Sequence, residues 1–140
     1  MVLSVGLPAV IELAKKNGCE FIINYKDQNV LSEVMKITND VGLPVVYDGV
    51  GKVTMEKSLL CLKMRGTFVS FGNASGKLEP LDVGKLIAPK GLFLTRPSIA
   101  HYTATRGELD EAALKLFDMI KSKKVIVELF KKYSLNEVVQ

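Results

Sequence analysis

Short apolar runs alternate with longer amphipathic stretches along most of this 140-residue chain. The short runs are rich in β-branched and aromatic residues, which favour strands. They occupy residues 1–5, 21–25, 44–48, 67–72 and 92–95. Because the stretches between consecutive runs carry apolar residues at helical spacing, the pattern predicts βα units that feed a parallel sheet. The predicted fold class is therefore α/β.

Four helical stretches are predicted between these strands. The first begins at Pro8, a favoured first helical position, and ends at Asn17-Gly18, where glycine can adopt the left-handed conformation. The second follows Asp27 as its N-cap and carries a stripe of apolar residues. The third spans about residues 54–64, with Leu59, Leu60 and Leu62 facing inward, and the fourth is short, at about 82–87.

The clearest helix signal follows the last strand. Thr105 and Glu108 form a capping box, and apolar residues recur at helical spacing behind it, which predicts a helix over 106–122. A second capping box, Ser134 and Glu137, comes only three residues before Gln140. Residue 1 already lies in a strand-like run. One interpretation is that both ends are ordinary fraying termini. The interpretation we favour is that the chain is a piece of a longer protein.

Composition narrows the classes of protein. Apolar residues make up 48% and charged residues 24%, as in soluble globular domains. No apolar run approaches the roughly 20 residues that span a bilayer, and no secretory leader is recognisable, so we expect a cytoplasmic location and no membrane association.

A formal charge of +4 permits weak attraction to polyanions without requiring it. Cys19, Cys61 and the single His101 lack the spacing of a disulfide framework or a metal site.

Small residues stand where the predicted strands end. They are Gly6, Gly49, Gly51, Gly72, Asn73 and Gly76. Ligands of open α/β sheets bind at the carboxyl ends of the strands, and glycine there lets a backbone N–H approach a phosphate or a ring. The alternative is that these glycines only terminate strands. Neither GxGxxG nor GxxxxGK[ST] occurs, and no serine lies in a G-x-S-x-G elbow, so a hydrolase is not favoured.

Three segments read together are more specific than any single motif. They are LAKKNGCEFIINYK at 13–26, VVYDGVGKVTMEKSLLCLKMRGTFVSFGNASG at 45–76 and KGLFLTRPSIAHYTATRGEL at 90–109. Together they resemble the quinone oxidoreductases, the zeta-crystallin-like branch of the medium-chain dehydrogenase/reductase superfamily. The resemblance implies NADPH-dependent reduction of quinones or activated alkenes without zinc. It also implies a Rossmann domain paired with a GroES-like catalytic domain.

The resemblance also implies how the chain maps onto these two domains. Its first strand looks like the second strand of the Rossmann sheet, whose order is 3-2-1-4-5-6, so the central strand and the glycine-rich turn are expected to be missing. Residues 1–123 would form this incomplete Rossmann domain, and residues 124–140 would begin the return to the catalytic domain. We expect the chain to be inactive alone. The alternative function is a non-enzymatic role, as a structural crystallin-like or RNA-binding protein.

Cofactor-site residues are carried over from the resemblance one by one. Gly6 and Tyr25 look like the adenosine end, around the 2′-phosphate, although for Tyr25 an aromatic ending a buried strand is the alternative. The others are Gly49 and Val50 at the turn passing the cofactor, Phe71, Gly72 and Asn73 beside the nicotinamide ribose, and Leu94 near the carboxamide. Val10 stands where the family has a lysine. No catalytic side chain and no metal ligand is assigned.

Cofactor and partner choices follow from the same residues. Val5-Gly6-Leu7 offers no carboxylate to hold the ribose of NAD or repel a 2′-phosphate, so NADPH is the expected cofactor.

The strand at 92–95 carries no lysine or proline until Pro97 and resembles the edge through which the family dimerises. A homodimer through this edge is expected; the alternative is that another part of the chain covers it. Asp48 is interpreted as a turn-former and Cys61 as a core residue.

Overall fold

The computed structural model describes residues 1–6, 8–127, 129 and 131–137, in two compact units, 1–97 and 98–140. Strands and helices alternate through the first unit, as the hydrophobic pattern predicts. The strands are β1 (Val2–Val5), β2 (Phe21–Asn24), β3 (Leu43–Asp48), β4 (Leu62–Ser70) and β5 (Phe93–Thr95). The α-helices of this unit are α1 (Pro8–Lys16), α2 (Val30–Ile37) and α3 (Met55–Leu60).

All strand pairings in the described residues are parallel, and they form two sheets. One sheet pairs β1 with β2, and the other has the order β3-β4-β5. Each neighbouring pair is connected through a helical segment, as parallel strands require. The α/β class is thus confirmed. Within the described residues no strand joins β1 to β3, which agrees with a Rossmann order whose central position is not filled by this chain.

Two buried clusters hold the first unit together. One is centred on Ile23, Val34 and Cys61 and therefore links β2, α2 and the segment that leads into β4. The other packs α3 and the loop around residues 78–87 onto the β3-β4-β5 sheet. Its buried members are Met55, Leu59, Leu62, Phe68 and Leu92. Because residues of both sheets pack against this first cluster, it joins the two sheets.

The start of α2 and the end of α3 differ from the sequence prediction. The N-cap of α2 is Asn29, whose side-chain oxygen accepts a hydrogen bond from the backbone N–H of Ser32 at 3.0 Å, whereas Asp27 lies in the preceding turn. The α3 helix ends at Leu60 rather than at residue 64, because Leu62 pairs with Leu43 as the first residue of β4. Strand pairing thus outweighs the helical spacing of these leucines.

The remaining segments agree with the prediction in position. The short helix near 82–87 is a π-helix, Val83–Ile87, followed by a 3₁₀ turn, Ala88–Lys90. Its N-cap Asp82 accepts a hydrogen bond from the backbone of Lys85 at 2.9 Å. Leu92 is buried just before β5 instead of forming its first residue.

The second unit contains the predicted long helix. A four-residue helix, α4 (Ile99–Tyr102), was not predicted, and α5 spans Arg106–Lys121 with both halves of the Thr105–Glu108 capping box formed. At the second predicted capping box the structure has a 3₁₀ turn, Leu135–Glu137. Residues 138–140, like 128 and 130, lie outside the described residues. No helix in the described part of the chain is long and apolar enough to cross a bilayer. The proposed boundary at residue 123 stays a prediction.

We expect Leu59→Ala to lower the free energy of unfolding by about 2–5 kcal/mol, because truncation leaves a cavity in a closed cluster. Leu60→Ala is the matched control, since Leu59 is 1% exposed and the neighbouring Leu60 is 41% exposed on the same helix. Urea denaturation followed by circular dichroism measures both variants. Equal losses in the two would contradict the assignment of Leu59 to the core.

Candidate functional site

All the predicted site residues except Leu94, which lies within β5, follow the carboxyl ends of four strands, where the chain turns towards the next element. Gly6 follows β1 and Tyr25 closely follows β2; in the other sheet Gly49 follows β3 and Phe71 follows β4. Since all strands within a sheet run parallel, these turns lie together at the carboxyl ends of the strands. We call this side of each sheet the strand-end edge. This is the edge at which open α/β sheets bind ligands.

Gly6 and Tyr25 are in contact. The backbone N–H of Tyr25 donates a hydrogen bond to the carbonyl of Val5 at 3.0 Å, which extends the β1-β2 ladder past the strand ends. A Cβ atom on Gly6 would overlap the ring of Tyr25. Gly6 is buried, and the atoms of Tyr25 that lie against it are Cζ, Cε2 and the hydroxyl oxygen, although Tyr25 is 55% exposed overall.

Gly49 and Gly72 bring two turns of the other sheet into backbone contact. A Cβ atom on Gly72 would lie 2.5 Å from the carbonyl oxygen and 3.0 Å from the Cα atom of Gly49. A Cβ atom on Gly49 would lie 2.9 Å from the ring of Phe71. Both positions therefore need glycine because other atoms of the chain pack closely against them, and not only because glycine can end a strand.

Hydrogen bonds also tie the loop after β4 to the turn after β3. The backbone N–H of Ala74 donates to the carbonyl of Gly49 at 3.2 Å, and that of Ser75 donates to the carbonyl of Val50 at 2.8 Å. The Ser75 hydroxyl donates to the same Val50 carbonyl at 2.7 Å and accepts from the N–H of Val53 at 3.1 Å. Together these bonds hold Gly49, Val50 and the 72–75 loop as one unit.

The buried carboxylate of Asp48 organises the turn between β3 and α3. Its Oδ1 accepts hydrogen bonds from the backbone N–H groups of Val50 and Gly51 and from the Thr54 hydroxyl, at 2.9, 3.0 and 2.9 Å. Its Oδ2 accepts from the Ser58 hydroxyl at 2.8 Å. Burial by itself raises the pKa of Asp48, but these four hydrogen bonds outweigh it and the pKa lies below its ordinary value. Asp48 is thus a turn-former, as predicted.

Sequence reasoning missed one residue at this edge. Arg96 directly follows β5, and its Nη1 donates hydrogen bonds to the hydroxyl of Ser70 at 2.9 Å and to the side-chain oxygen of Asn73 at 3.2 Å. The sequence alone assigned Arg96 no place in the site. Its position after the last strand of a parallel sheet was the signal that could have found it. Leu94, in contrast, pairs with Phe68 inside the ladder and not with the strand-end residues.

The described residues contain no group of three histidine, cysteine, aspartate or glutamate side chains able to hold a metal ion. Cys19 and Cys61 are free and buried. Burial raises the pKa of the Cys61 thiol, and the nearby Lys90 offsets only part of this effect. Cys61 is thus a core residue, as predicted, and the chemistry available where β4 and β5 end includes hydrogen bonding and the exposed cation of Arg96.

A family model described as zinc-binding dehydrogenase matches residues 2–119, which includes all five strands and most of α5. The chain belongs to the zinc-binding dehydrogenase family. The zinc-binding dehydrogenase model thus covers every predicted site residue. The resemblance to quinone oxidoreductases is confirmed as well, since several similar proteins carry that name.

Similar members of this family are reductases by name. The chain is 41% identical over 127 residues to a 2-haloacrylate reductase of a Burkholderia species, covering 90% of this chain and 38% of that protein. It is 39% identical over 136 residues to quinone oxidoreductase 1 of Escherichia coli, covering 96% and 42%. The crystal structure of Escherichia coli quinone oxidoreductase complexed with NADPH superimposes with a TM-score of 0.87 at 39% identity, covering 91% of this chain and 39% of that one. The chain thus spans about 40% of the length of these relatives.

We expect Asp48→Asn to lower the free energy of unfolding by about 1–3 kcal/mol near neutral pH, because a charged acceptor of four hydrogen bonds is lost. The folded-state pKa lies below the ordinary value of 3.8, so the carboxylate's stabilisation is complete above that value and is lost as the pH falls through the folded pKa. The difference between chain and variant should therefore shrink on acidification.

Urea denaturation at about pH 7 and about pH 3 measures this difference. Glu56→Gln is the control, because it removes an exposed carboxylate from α3. We expect little change in that variant at either pH. A difference for Asp48→Asn that stays constant or grows on acidification would contradict the role of the ionised carboxylate.

Proposed function

We propose that this chain is the NADPH-binding part of a reductase that delivers hydride to a quinone or an activated alkene. The observation that carries the proposal is the strand-end edge, where glycines at the ends of β1, β3 and β4 allow close approach of backbone and rings. Support comes from the named relatives, which include quinone oxidoreductases, a 2-haloacrylate reductase and a structure complexed with NADPH. When bound, NADPH supplies the hydride, so the protein's task is binding, orientation and electrostatics.

The β1-β2 edge fits the adenosine end of NADPH. Gly6 and Tyr25 are in contact there, and the exposed part of Tyr25 offers an aromatic surface to the cofactor. No acidic residue lies in the first turn of α1, which begins just after Gly6, so no carboxylate there repels a 2′-phosphate. Val10, in that first turn, contributes no charge.

The β3-β4-β5 edge fits the nicotinamide end. Gly49 and Val50 form the turn that would pass the cofactor, and Phe71, Gly72 and Asn73 would lie beside the ribose. Because Gly72 packs on the backbone of Gly49, and the 72–75 loop is hydrogen-bonded to Gly49 and Val50, the two turns form one continuous surface. We assign Leu94 a contact near the carboxamide, since it is 44% exposed on the strand next to these turns.

The rest of the reductase site is assigned to segments that this chain does not cover, because the match spans about 40% of the relatives. We propose that residues 1–123 belong to the cofactor-binding domain and that residues 124–140 lead towards the catalytic domain. No catalytic side chain is assigned to this chain. Turnover is therefore expected only together with those segments, and the proposed location is the cytoplasm.

We expect the chain to bind NADPH more tightly than NADH. Val10→Lys should strengthen NADPH binding about tenfold or more and leave NADH binding unchanged, because the added ammonium would form a charge-assisted hydrogen bond to the 2′-phosphate. Fluorescence titration with each cofactor measures this. Leu13→Lys adds the same charge at another exposed position of α1 and is the control.

The reaction is tested by following NADPH oxidation with a small quinone, using the protein as its gene encodes it. No binding of either cofactor and no turnover would overturn the proposed function. A second outcome is turnover together with equal tightening of NADH and NADPH binding by Val10→Lys. That outcome would support the proposed function and refute the assignment of Val10 to the 2′-phosphate.

The edge strand β5 supports a homodimer. It is hydrogen-bonded on one side, to β4, within the described residues, and Phe93 on it is 61% exposed. An apolar edge without lysine or proline is free to pair with a second copy, and two-fold association is the commonest assembly. We propose that β5 pairs with its two-fold mate and joins two sheets into one.

Phe93→Lys should convert the dimer to a monomer, because a charge on the edge opposes strand pairing. Light scattering at several protein concentrations measures the mass. Met64→Lys places the same charge on an exposed position of β4, away from the edge, and should leave the dimer intact. A dimer that survives Phe93→Lys would move the interface elsewhere.

A further inference from the structure

Arg96 is an exposed cation at the strand-end edge, and two side chains hold its guanidinium in place. They are Ser70 and Asn73, which both accept hydrogen bonds from Nη1, and we call this pair the seat of Arg96. Ser70 is 4% exposed, and its strand β4 is paired on both sides, so the hydroxyl that holds Arg96 is rigidly placed. An exposed arginine held in this way loses less conformational entropy when it binds a ligand than a freely rotating one.

The seat does not neutralise the charge of Arg96. Both acceptors are neutral, a hydroxyl and an amide oxygen, and none of the ion pairs in the described part of the chain involves Arg96. A guanidinium has five N–H donors, of which the seat occupies those of Nη1. The carboxylate of Asp48, two strands away in the sheet, already accepts four hydrogen bonds from its own turn and from the α3 segment. The remaining face of Arg96 is thus a planar fork of donors that matches a carboxylate.

We propose that Arg96 binds the carboxylate of the acceptor and so favours activated alkenes that carry one. This inference rests on the proposed function and specifies the acceptor class for the same site. Its basis is the contact with Asn73, because Gly72 and Asn73 form the turn assigned to the nicotinamide end, where the acceptor must lie. A neutral quinone makes no ion pair with Arg96, so its binding does not depend on the charge.

The other source of an oxyanion at this edge is a phosphate of the cofactor. The two sources differ in what they do when the charge is removed. Loss of a contact to the acceptor's carboxylate weakens only the anionic acceptor, whereas loss of a contact to a phosphate weakens NADPH. Both quantities are therefore measured on the same variant.

The experiment compares 2-chloroacrylate with its methyl ester, which has the same activated alkene and no charge. Binding to the NADPH-saturated chain is followed by ligand-observed NMR, so the test does not need turnover. Arg96→Gln should raise the Kd of 2-chloroacrylate about tenfold or more, and should change the Kd of the ester and of NADPH less than about threefold. Arg96→Lys should lie between, because a lysine keeps the charge and loses the planar fork.

Arg65→Gln is the matched control, since it removes the same charge from an exposed position of β4 far from the strand end, and it should leave all three affinities unchanged. Equal weakening of acid and ester, weakening of NADPH alone, or no detectable binding of 2-chloroacrylate would each overturn the inference. The proposed function fails separately, through absent cofactor binding and absent quinone turnover.

Discussion

The buried carboxylate of Asp48 is the interaction on which the strand-end edge depends. It stands at the last residue of β3 and accepts hydrogen bonds from two backbone N–H groups of the turn and two hydroxyls at the start and middle of α3. A charge can be buried here because the turn and the α3 segment together direct four hydrogen-bond donors at it. These bonds hold residues 49–51 and the start of α3 together, and the same turn packs against Gly72.

Both sheets end their strand pairs in the same way. In each, the ladder continues one step past the strands: the N–H of Tyr25 donates to Val5, and the N–H of Phe71 donates to Asp48, each at 3.0 Å. In each, the aromatic ring then lies where the Cβ atom of a glycine would be, Gly6 in one sheet and Gly49 in the other. A glycine after one strand and an aromatic residue after its neighbour thus form one structural unit, repeated at the two ends of the proposed cofactor site.

Charge at this edge is distributed unevenly. Asp48 is buried and satisfied by its turn, and Lys52 is paired with Glu79 at 2.6 Å, an exposed ion pair that adds little to stability. Arg96 alone among these three has only neutral partners. The edge of the β3-β4-β5 sheet therefore combines closely packed backbone with the positive side chain of Arg96, which has neutral hydrogen-bond partners.

Hydrophobic period and turn chemistry in the sequence determined much of this protein. They were enough for the five strands, for α1, for α5 with its capping box, for the turn-forming role of Asp48, and for the strand ends at which glycines gather. Each of these depends on residues close in the chain, where spacing and local hydrogen bonds decide the conformation.

Only the tertiary structure decided the rest. Leu62 has helical spacing, yet pairing with Leu43 makes it the start of β4, because a ladder to a neighbouring strand satisfies its backbone better than another turn of helix does. The contacts of Gly6 with Tyr25 and of Gly72 with Gly49 join positions about twenty residues apart, which no local pattern encodes. Arg96 acquires its seat from Ser70 and Asn73 only because β5 pairs beside β4, so its role is invisible until the sheet is assembled.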